Sequence, residues 1–335
     1  MDGIPKSGEG VTLLAADMGG TKSNLWLFER TDGRRETRDE AQLKSADFPD
    51  ARSVVAAFLK GRRVQAAAVA IAAPVREGRA ETPNLPWEVE QTALARMLGS
   101  DRVELINDLA ATAYGIADIG PEALATLNEG RPGTGAIAII AAGTGLGEAA
   151  MVREGERQIA LPSEGGHADF GPGNELESAL LQYLARRHGH VSWERVVSGP
   201  GLRAIYDFLI ETGRGEPSGT LAARMAAGDA PAAIAQAALE GGDAAAAHAL
   251  DIFVRLYGAE AGNLALKFLA TGGVYVAGGI APKILARLRS GPFMEGFLAK
   301  GRHSDLLQAI TVRVVLEPKA ALFGAARRAE ALAAA

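Results

Sequence analysis

The same local pattern occurs twice in the chain, and this repeat is the strongest constraint on the fold. The first copy, residues 11–29, is an apolar run ending at Asp17, then Gly19-Gly20, then an alternating apolar run. The second copy, residues 136–154, has an apolar run, the glycine-rich turn 143–147 and another run. Each copy predicts a β-hairpin. We expect two lobes with one hairpin each, whose backbone loops can close on one ligand.

The segments between and after the hairpins alternate between strand and helix patterns. Residues 64–74 form an apolar run typical of a buried strand, residues 88–99 predict a helix with an acidic start and a glycine stop, and residues 102–108 predict another strand. Strand, helix, strand order indicates a mostly parallel, covered sheet and the α/β class. The second half predicts a helix at 174–188, three Ala-rich helices within about 218–270, a strand and glycine turn at 272–282 and a closing helix at 318–335.

Composition excludes several classes of function. The chain has 335 residues, which favours two domains, and its net charge of −5 is spread in mixed signs. We therefore expect no nucleic acid and no membrane as partners. With no cysteine, disulfides, thiolate metal sites and cysteine nucleophiles are excluded. Because residues 1–10 are polar and Gly-rich rather than a leader, we predict a cytoplasmic protein.

The glycine turns predict a nucleotide site. Glycine lets backbone N–H groups approach phosphate oxygens, and an acid at a strand end, here Asp17, can hold Mg²⁺ through water. Neither turn contains the P-loop sequence Gly-x-x-x-x-Gly-Lys-Ser/Thr, and neither fits the dinucleotide fingerprint, because each continues as a strand. A third glycine pair, Gly278-Gly279, also follows a strand. A single glycine hairpin is usually structural, but three such turns together favour nucleotide binding.

Two further polar clusters stand out. The residues around Gly165-Gly166 include Glu164, His167 and Asp169. These three side chains are an incomplete ligand set for Zn²⁺, but they are suitable for binding polyol hydroxyls. Asn107-Asp108 ends an apolar run in front of a helix pattern. Taken alone, Asp108 is most simply a helix N-cap. Beside the other clusters, we expect it both to cap the helix and to accept a proton.

Six motifs in order resemble the bacterial ATP-dependent glucokinases of the hexokinase/actin superfamily, over essentially the whole chain. They are Asp17-Met18-Gly19-Gly20-Thr21, Asn107-Asp108, Gly143-Thr144-Gly145-Leu146-Gly147, the stretch Ser163–Phe170, Glu194–Leu202 and Val276–Pro282. The resemblance implies a two-lobed actin-like ATPase (ribonuclease H-like) fold with an interlobe cleft. It implies a small α/β lobe of residues 1–117 plus 319–335 and a large α/β lobe of residues 118–318.

The resemblance also implies the reaction and the residue roles. These are phosphorylation of D-glucose at the 6-hydroxyl by Mg²⁺-ATP, the first step of glycolysis, with Asp108 as general base. Sugar-binding residues would be Asn84, Asn107, Asp108, Glu164, His167 and Glu194. Nucleotide-binding residues would be Asp17, Gly19, Gly20, Thr21, Gly143, Thr144, Gly145, Gly147, Gly278 and Gly279, with Asp17 also linked to Mg²⁺. A homodimer is implied as well, with the Ala-rich helices at 218–270 as a suitable surface.

Three positions depart from the family pattern. Leu85-Pro86 follow Asn84 where the family typically has His, Lys22 stands where relatives often have Asn, and Glu148 stands where an apolar residue is usual. The alternatives are a hexokinase with a broader or different preference (mannose, fructose or fructosamine-type sugars) and a non-catalytic sugar sensor. A transcriptional regulator of the repressor/kinase (ROK) family would need a DNA-binding head. An actin-like or chaperone ATPase would not need the sugar-binding set.

Overall fold

The computed structural model describes residues 10–82, 85–155 and 157–335. The chain divides into two compact units. The first contains the described residues up to Gly120, together with Ala160–Pro162 and Lys319–Ala335, and the second contains the described residues of Pro121–Ile159 and Ser163–Pro318.

The strands and helices alternate along both units. The strands are β1 (Val11–Met18), β2 (Lys22–Thr31), β3 (Arg34–Lys44), β4 (Ala66–Ile71), β5 (Arg79–Glu81), β6 (Glu88–Glu90), β7 (Val103–Asn107), β8 (Leu124–Asn128), β9 (Ile137–Ala142), β10 (Leu146–Glu154), β11 (Arg157–Ser163), β12 (Gly273–Ala277) and β13 (Val312–Val315). The helices are α1 (Ala51–Leu59), α2 (Gln91–Leu98), α3 (Asp108–Gly115), α4 (Glu175–His188), α5 (Gly199–Glu211), α6 (Gly219–Ala227), α7 (Ala230–Glu240), α8 (Ala244–Phe268), α9 (Leu285–Leu288), α10 (Pro292–Leu298), α11 (Ser304–Gln308) and α12 (Ala320–Ala334).

The sheet of the first unit is mixed, with strand order β3-β2-β1-β4-β7 in the described residues. β1 pairs with β2 and β2 with β3 in antiparallel fashion, whereas β1–β4 and β4–β7 are parallel. Every residue of β4 is buried, as expected for a strand covered on both faces. One face packs against α1 and α2, and the other packs against α3 and α12. The predicted hairpin and parallel strands are confirmed, and β3 was not predicted.

The sheet of the second unit, as far as it is described, has the order β11-β10-β9-β12-β13-β8. β9 pairs with β10 in antiparallel fashion and with β12 in parallel fashion, as β1 does with β2 and β4. The three predicted Ala-rich helices are α6, α7 and α8. Asp229 and Asp243 cap α7 and α8 by accepting hydrogen bonds from Ala232 N and Ala246 N. Buried residues of α8 form the centre of this unit's core with β9 and β12.

One detail differs from the sequence-based expectation. Helix α2 begins at Gln91 rather than Glu88, because Glu88–Glu90 forms β6 and pairs with β5. It ends as predicted at Gly99, which takes the left-handed conformation with φ +66°. In the described ranges, no helix combines the length and the apolar character needed to cross a bilayer.

Candidate active site

The first glycine turn, in the first unit, joins β1 to β2 at Gly19, Gly20 and Thr21. Gly19 N donates to Lys22 O at 2.9 Å, which closes the turn. Ser45, just after β3, holds it from the side: its Oγ donates to Gly19 O at 2.7 Å and its N donates to Thr21 O at 3.1 Å. Because Ser45 is fully buried, these bonds are shielded from water. The turn therefore keeps a defined backbone shape.

Asp17 lies near the end of β1, immediately before this turn. Asn24 Nδ2 donates to Asp17 Oδ2 at 3.3 Å. Burial raises the pKa of Asp17, and the hydrogen bond from Asn24 opposes that rise. Among the described residues, no group of three or more His, Cys, Asp or Glu side chains converges on a metal position. A single strand-end carboxylate suits Mg²⁺ bound mainly by phosphate and water, rather than a metal held in a protein cage.

Asn107 and Asp108 lie where β7 passes into α3. The side chain of Asn107 is the N-cap: its Oδ1 accepts from Leu109 N at 2.9 Å and from Ala110 N at 3.2 Å. The expectation that Asp108 is the cap is therefore wrong, because Asp108 is the first residue of the helix. Asp108 Oδ1 accepts from Leu109 N at 2.9 Å and from Asn107 Nδ2 at 3.1 Å, which orients the carboxylate.

The parallel register brings these groups to one edge of the first unit's sheet. Met18 is opposite Ile71, and Ile71 is opposite Asn107. Carboxyl ends of neighbouring parallel strands are the usual position of ligand-binding residues in α/β sheets. Asp17, the first glycine turn and Asn107-Asp108 thus belong to one edge, as their positions at strand ends indicated.

The second glycine turn, in the second unit, joins β9 to β10. Gly143 N donates to Gly145 O, and Gly199 N at the start of α5 donates to Gly143 O, both at 2.8 Å. Leu146 N donates to Glu194 Oε2 at 3.0 Å. A Cβ on Gly145 would lie 2.5 Å from the same carboxylate oxygen, so glycine permits this close approach. Glu194, predicted as a sugar ligand, therefore lies against the predicted phosphate turn.

Tyr257 of α8, which sequence reasoning missed, ties the ends of β9 and β12 together. Its fully buried hydroxyl accepts from Ala142 N at 3.0 Å and lies 3.1 Å from Ala277 O, to which it donates. Gly278 follows with φ +84°, and a Cβ there would lie 2.4 Å from Ala142 O. The predicted adenosine-side pair Gly278-Gly279 thus starts directly beside the second glycine turn. A lone tyrosine in a helix gives no sequence signal for this role.

Glu164 and His167 lie at the two ends of a single 3₁₀ turn, Gly165–His167. Glu164 Oε2 lies 3.9 Å from His167 Nε2, and both side chains are more than half exposed. Ala168 N donates to Gly165 O at 2.9 Å, closing the turn. Both polar groups are therefore available to a ligand. Asn84, the remaining predicted sugar ligand, lies outside the described residues.

Comparison with known proteins identifies the family and the fold of this chain. The family model described as Glucokinase matches residues 14–332. A glucokinase of Trichormus variabilis is 43% identical over 333 residues, covering 94% of this chain and 97% of the relative. The structure of a glucokinase from an Antarctic psychrotroph gives a TM-score of 0.83 at 28% identity, over 96% of this chain and 99% of that one.

A more distant structure has the same fold. It is a glucokinase from Balamuthia mandrillaris in complex with glucose, with a TM-score of 0.77 at 20% identity, covering 96% of this chain and 94% of that one. The predicted α/β class and actin-like ATPase fold are confirmed. The family model spans nearly all described strands and helices, and the relative from Trichormus variabilis matches over almost its full length. The chain therefore belongs to the glucokinase family.

Proposed function

We propose that this protein transfers the γ-phosphoryl group of ATP to the 6-hydroxyl of D-glucose, with Asp108 as the general base. The observation that supports this role most directly is the capping of α3 by Asn107 rather than Asp108. Because Asn107 already satisfies the first helical N–H groups, the helix does not require the Asp108 carboxylate as its cap. The Asn107 amide instead orients Asp108 Oδ1 through a 3.1 Å hydrogen bond.

Phosphoryl transfer needs positioning, charge neutralisation and a destination for one proton. The 6-oxygen of the sugar forms a bond to the γ-phosphorus, the bond to the bridging oxygen of ADP breaks, and ADP leaves. The hydroxyl proton passes to the Asp108 carboxylate. General-base assistance of this kind is typically worth about 10² to 10⁴ in rate.

The glycine turns would bind the nucleotide. Backbone N–H groups of Gly19, Gly20 and Thr21, and those of residues 143–147, would donate to phosphate oxygens. Gly278-Gly279 would lie on the adenosine side. Asp17 would hold Mg²⁺ through water, and the bound ion would neutralise charge on the phosphates.

Several polar side chains would bind the sugar hydroxyls. Glu164 and His167 are exposed and close enough to act on adjacent hydroxyl groups. Glu194 would accept from a hydroxyl while also accepting from Leu146 N, and so would link the sugar to the second glycine turn. Asn84 and Asn107 would complete the set.

We also propose that the enzyme acts in the cytoplasm as a homodimer. The Ala-rich surface of α6–α8 would form the interface, because small side chains allow close helix packing. Sedimentation of the purified protein would give the mass of the species in solution. A mass equal to the 34.7 kDa of one chain would exclude the dimer.

The reaction is tested by measuring ADP release with a panel of hexoses and with ATP, ADP or polyphosphate as donor. We expect turnover with glucose and ATP. Asp108→Asn should bind glucose normally and lose at least about 10²-fold in kcat. Asp101→Asn, which changes an exposed acid of the same unit, is the matched control and should match the wild type. Substantial turnover by Asp108→Asn would refute the base assignment, and preference for another hexose would refute glucose as the substrate.

A further inference from the structure

Two buried glutamates, one of which packs against the Gly165–His167 turn, have no role in the chemistry above. Glu148 on β10 is 1% exposed and Glu260 on α8 is fully buried. Glu260 accepts from Asn263 Nδ2 at 2.7 Å and from Lys267 Nζ at 3.2 Å. Neither carboxylate oxygen of Glu148 has a donor among the residues that the structure describes. An ionised Glu148 would therefore be a buried charge without a donor.

The charges around Glu148 favour its protonated form. Burial, and after it the charge of Glu260, raises the pKa of Glu148 to about 8, while Lys267 lowers it. A hydrogen bond from a protonated Glu148 to Glu260 would add to the rise. Lys300 also lies near Glu260, whose charge opposes the lowering of the Lys300 pKa by burial. One proton on the pair removes the repulsion between the two carboxylates.

The carboxyl group of Glu148 is in direct contact with the turn above it. A Cβ on Gly165 would lie 2.1 Å from Glu148 Oε2, and a Cβ on Gly166 would lie 2.1 Å from Leu146 O. Only glycine lets the backbone pack this closely onto β10. Gly165 N donates to Ser163 Oγ at 2.9 Å, which fixes the start of the turn. A displacement of the Glu148 carboxyl group therefore removes a contact that supports the backbone between Glu164 and His167.

We propose that Glu148 is a positioning residue for the sugar. Protonated and hydrogen-bonded to Glu260, it supports the Gly165-Gly166 backbone that places Glu164 and His167, and its ionisation withdraws that support. This inference rests on the proposed function, because it assigns sugar binding to Glu164 and His167. The direct consequence is a KM for glucose that rises when the pair loses its proton, with a smaller change in kcat.

The test is the pH dependence of KM and kcat for glucose between about pH 6 and pH 9.5. In the wild type we expect KM to rise about threefold or more over the alkaline part of this range. Glu148→Gln keeps a donor for Glu260 but cannot ionise, so its KM should stay flat. Glu154→Gln, an exposed acid on the same strand, should follow the wild type. A flat wild-type KM, or an alkaline rise that persists in Glu148→Gln, would overturn the proposal.

Variants of Glu260 and Lys267 test the direction in which the pH of the KM rise shifts. Glu260→Gln removes the like charge, so the rise in KM should move to lower pH. Lys267→Met removes the cation that lowers the Glu148 pKa, so the rise should move to higher pH. Shifts in the reverse directions would contradict the proposal.

Equilibrium binding of glucose at the same pH values separates this proposal from the proposed function. A protein that binds glucose with this pH dependence but releases no ADP overturns only the proposed function. A protein that phosphorylates glucose with a pH-independent KM overturns only the role of Glu148. A protein that neither binds nor phosphorylates glucose overturns both.

Discussion

The two hairpins, β1–β2 and β9–β10, have the same place in their sheets but are held by different groups. In each sheet the first strand of the hairpin pairs in parallel with the next strand, β4 or β12. The first turn is held by Ser45, which follows the neighbouring strand β3. The second is held by groups distant in sequence, at Glu194, Gly199 and Tyr257. Two hairpins with the same topology are thus held by hydrogen bonds from different parts of the chain.

The hairpins also differ in the partner of their buried acid. Asp17, in the first hairpin, accepts a hydrogen bond from the amide of Asn24. Glu148, in the second, faces the carboxyl group of Glu260. A donor favours the ionised form of an acid, whereas a second acid favours a shared proton. Burial raises the pKa of both acids, but Asn24 opposes the rise at Asp17 whereas Glu260 adds to it at Glu148. The first hairpin is therefore better suited to bind a cation and the second to hold a proton.

The largest expected effect comes from Asp17→Asn. Removing the anion at the end of β1 should lower kcat/KM for ATP by about 10³-fold and raise the Mg²⁺ concentration needed for activity. The corresponding end of β9 has no acid that could replace it. Steady-state kinetics over a Mg²⁺ titration would measure both effects. Glu36→Gln, an exposed acid on β3 of the same sheet, is the control. An unchanged Mg²⁺ dependence in Asp17→Asn would remove the functional distinction between the two hairpins.

The next effect is on stability and concerns Glu148→Gln. The folded chain keeps the Glu148 proton up to about pH 8, whereas an unfolded glutamate releases it near its ordinary value of 4.5. The stabilising effect of this proton is therefore complete at low pH and is lost as the pH rises through about 8. Relative to the wild type, Glu148→Gln should gain about 4 kcal/mol in unfolding free energy between about pH 5 and pH 9. Urea denaturation at both pH values would measure the difference.

A stability difference that is the same at both pH values would contradict this prediction. It would mean that Glu148 is ionised in the folded state throughout, as an acid with a donor would be. Glu154→Gln should show no pH-dependent difference from the wild type, because that side chain is exposed.

The sequence predicted those parts of the fold that depend on local pattern. Glycines at both turns indicated the hairpins, and Asp229 and Asp243 indicated the starts of α7 and α8, because N-capping is a local interaction. β3 was missed because it is an edge strand of mostly polar, exposed residues and lacks an apolar alternation. The cap of α3 was placed one residue late, since Asn and Asp are equally good caps.

The candidate site was predictable where its residues form motifs, and not where distant elements meet. The predicted strand ends pointed to Asp17, Asn107 and the second glycine turn. Ser45 and Tyr257 are single residues whose role depends on packing across the unit, and no local signal marks them. The closeness of Glu148 to Glu260 likewise depends on how α8 lies against β10, which residue spacing does not show.

Tyr257→Phe tests the support of the second turn by distant groups. Loss of the hydroxyl would remove its buried hydrogen bonds to Ala142 N and Ala277 O, at a cost of about 1–2 kcal/mol in unfolding free energy. The KM for ATP should rise as well, because both strand ends lead into predicted nucleotide-binding turns. Thermal or urea unfolding and nucleotide kinetics would measure these changes, with Tyr275→Phe on β12 as the control. If Tyr257→Phe were as stable as the wild type, the hydroxyl would not hold the two strand ends.

The smallest expected effect is that of Ser45→Ala on the first turn. The hydrogen bond from Ser45 Oγ to Gly19 O would be lost, while Ser45 N would still donate to Thr21 O. We therefore expect the free energy of unfolding to fall by less than about 1 kcal/mol and the KM for ATP to rise by about twofold at most. Ser23→Ala removes a hydroxyl that lies 3.0 Å from Ser45 Oγ but keeps the bond to Gly19, so it serves as the matched control. If Ser45→Ala proved more damaging than Tyr257→Phe, the first turn would be the one that depends more on a single side-chain hydroxyl, and the comparison between the hairpins would reverse.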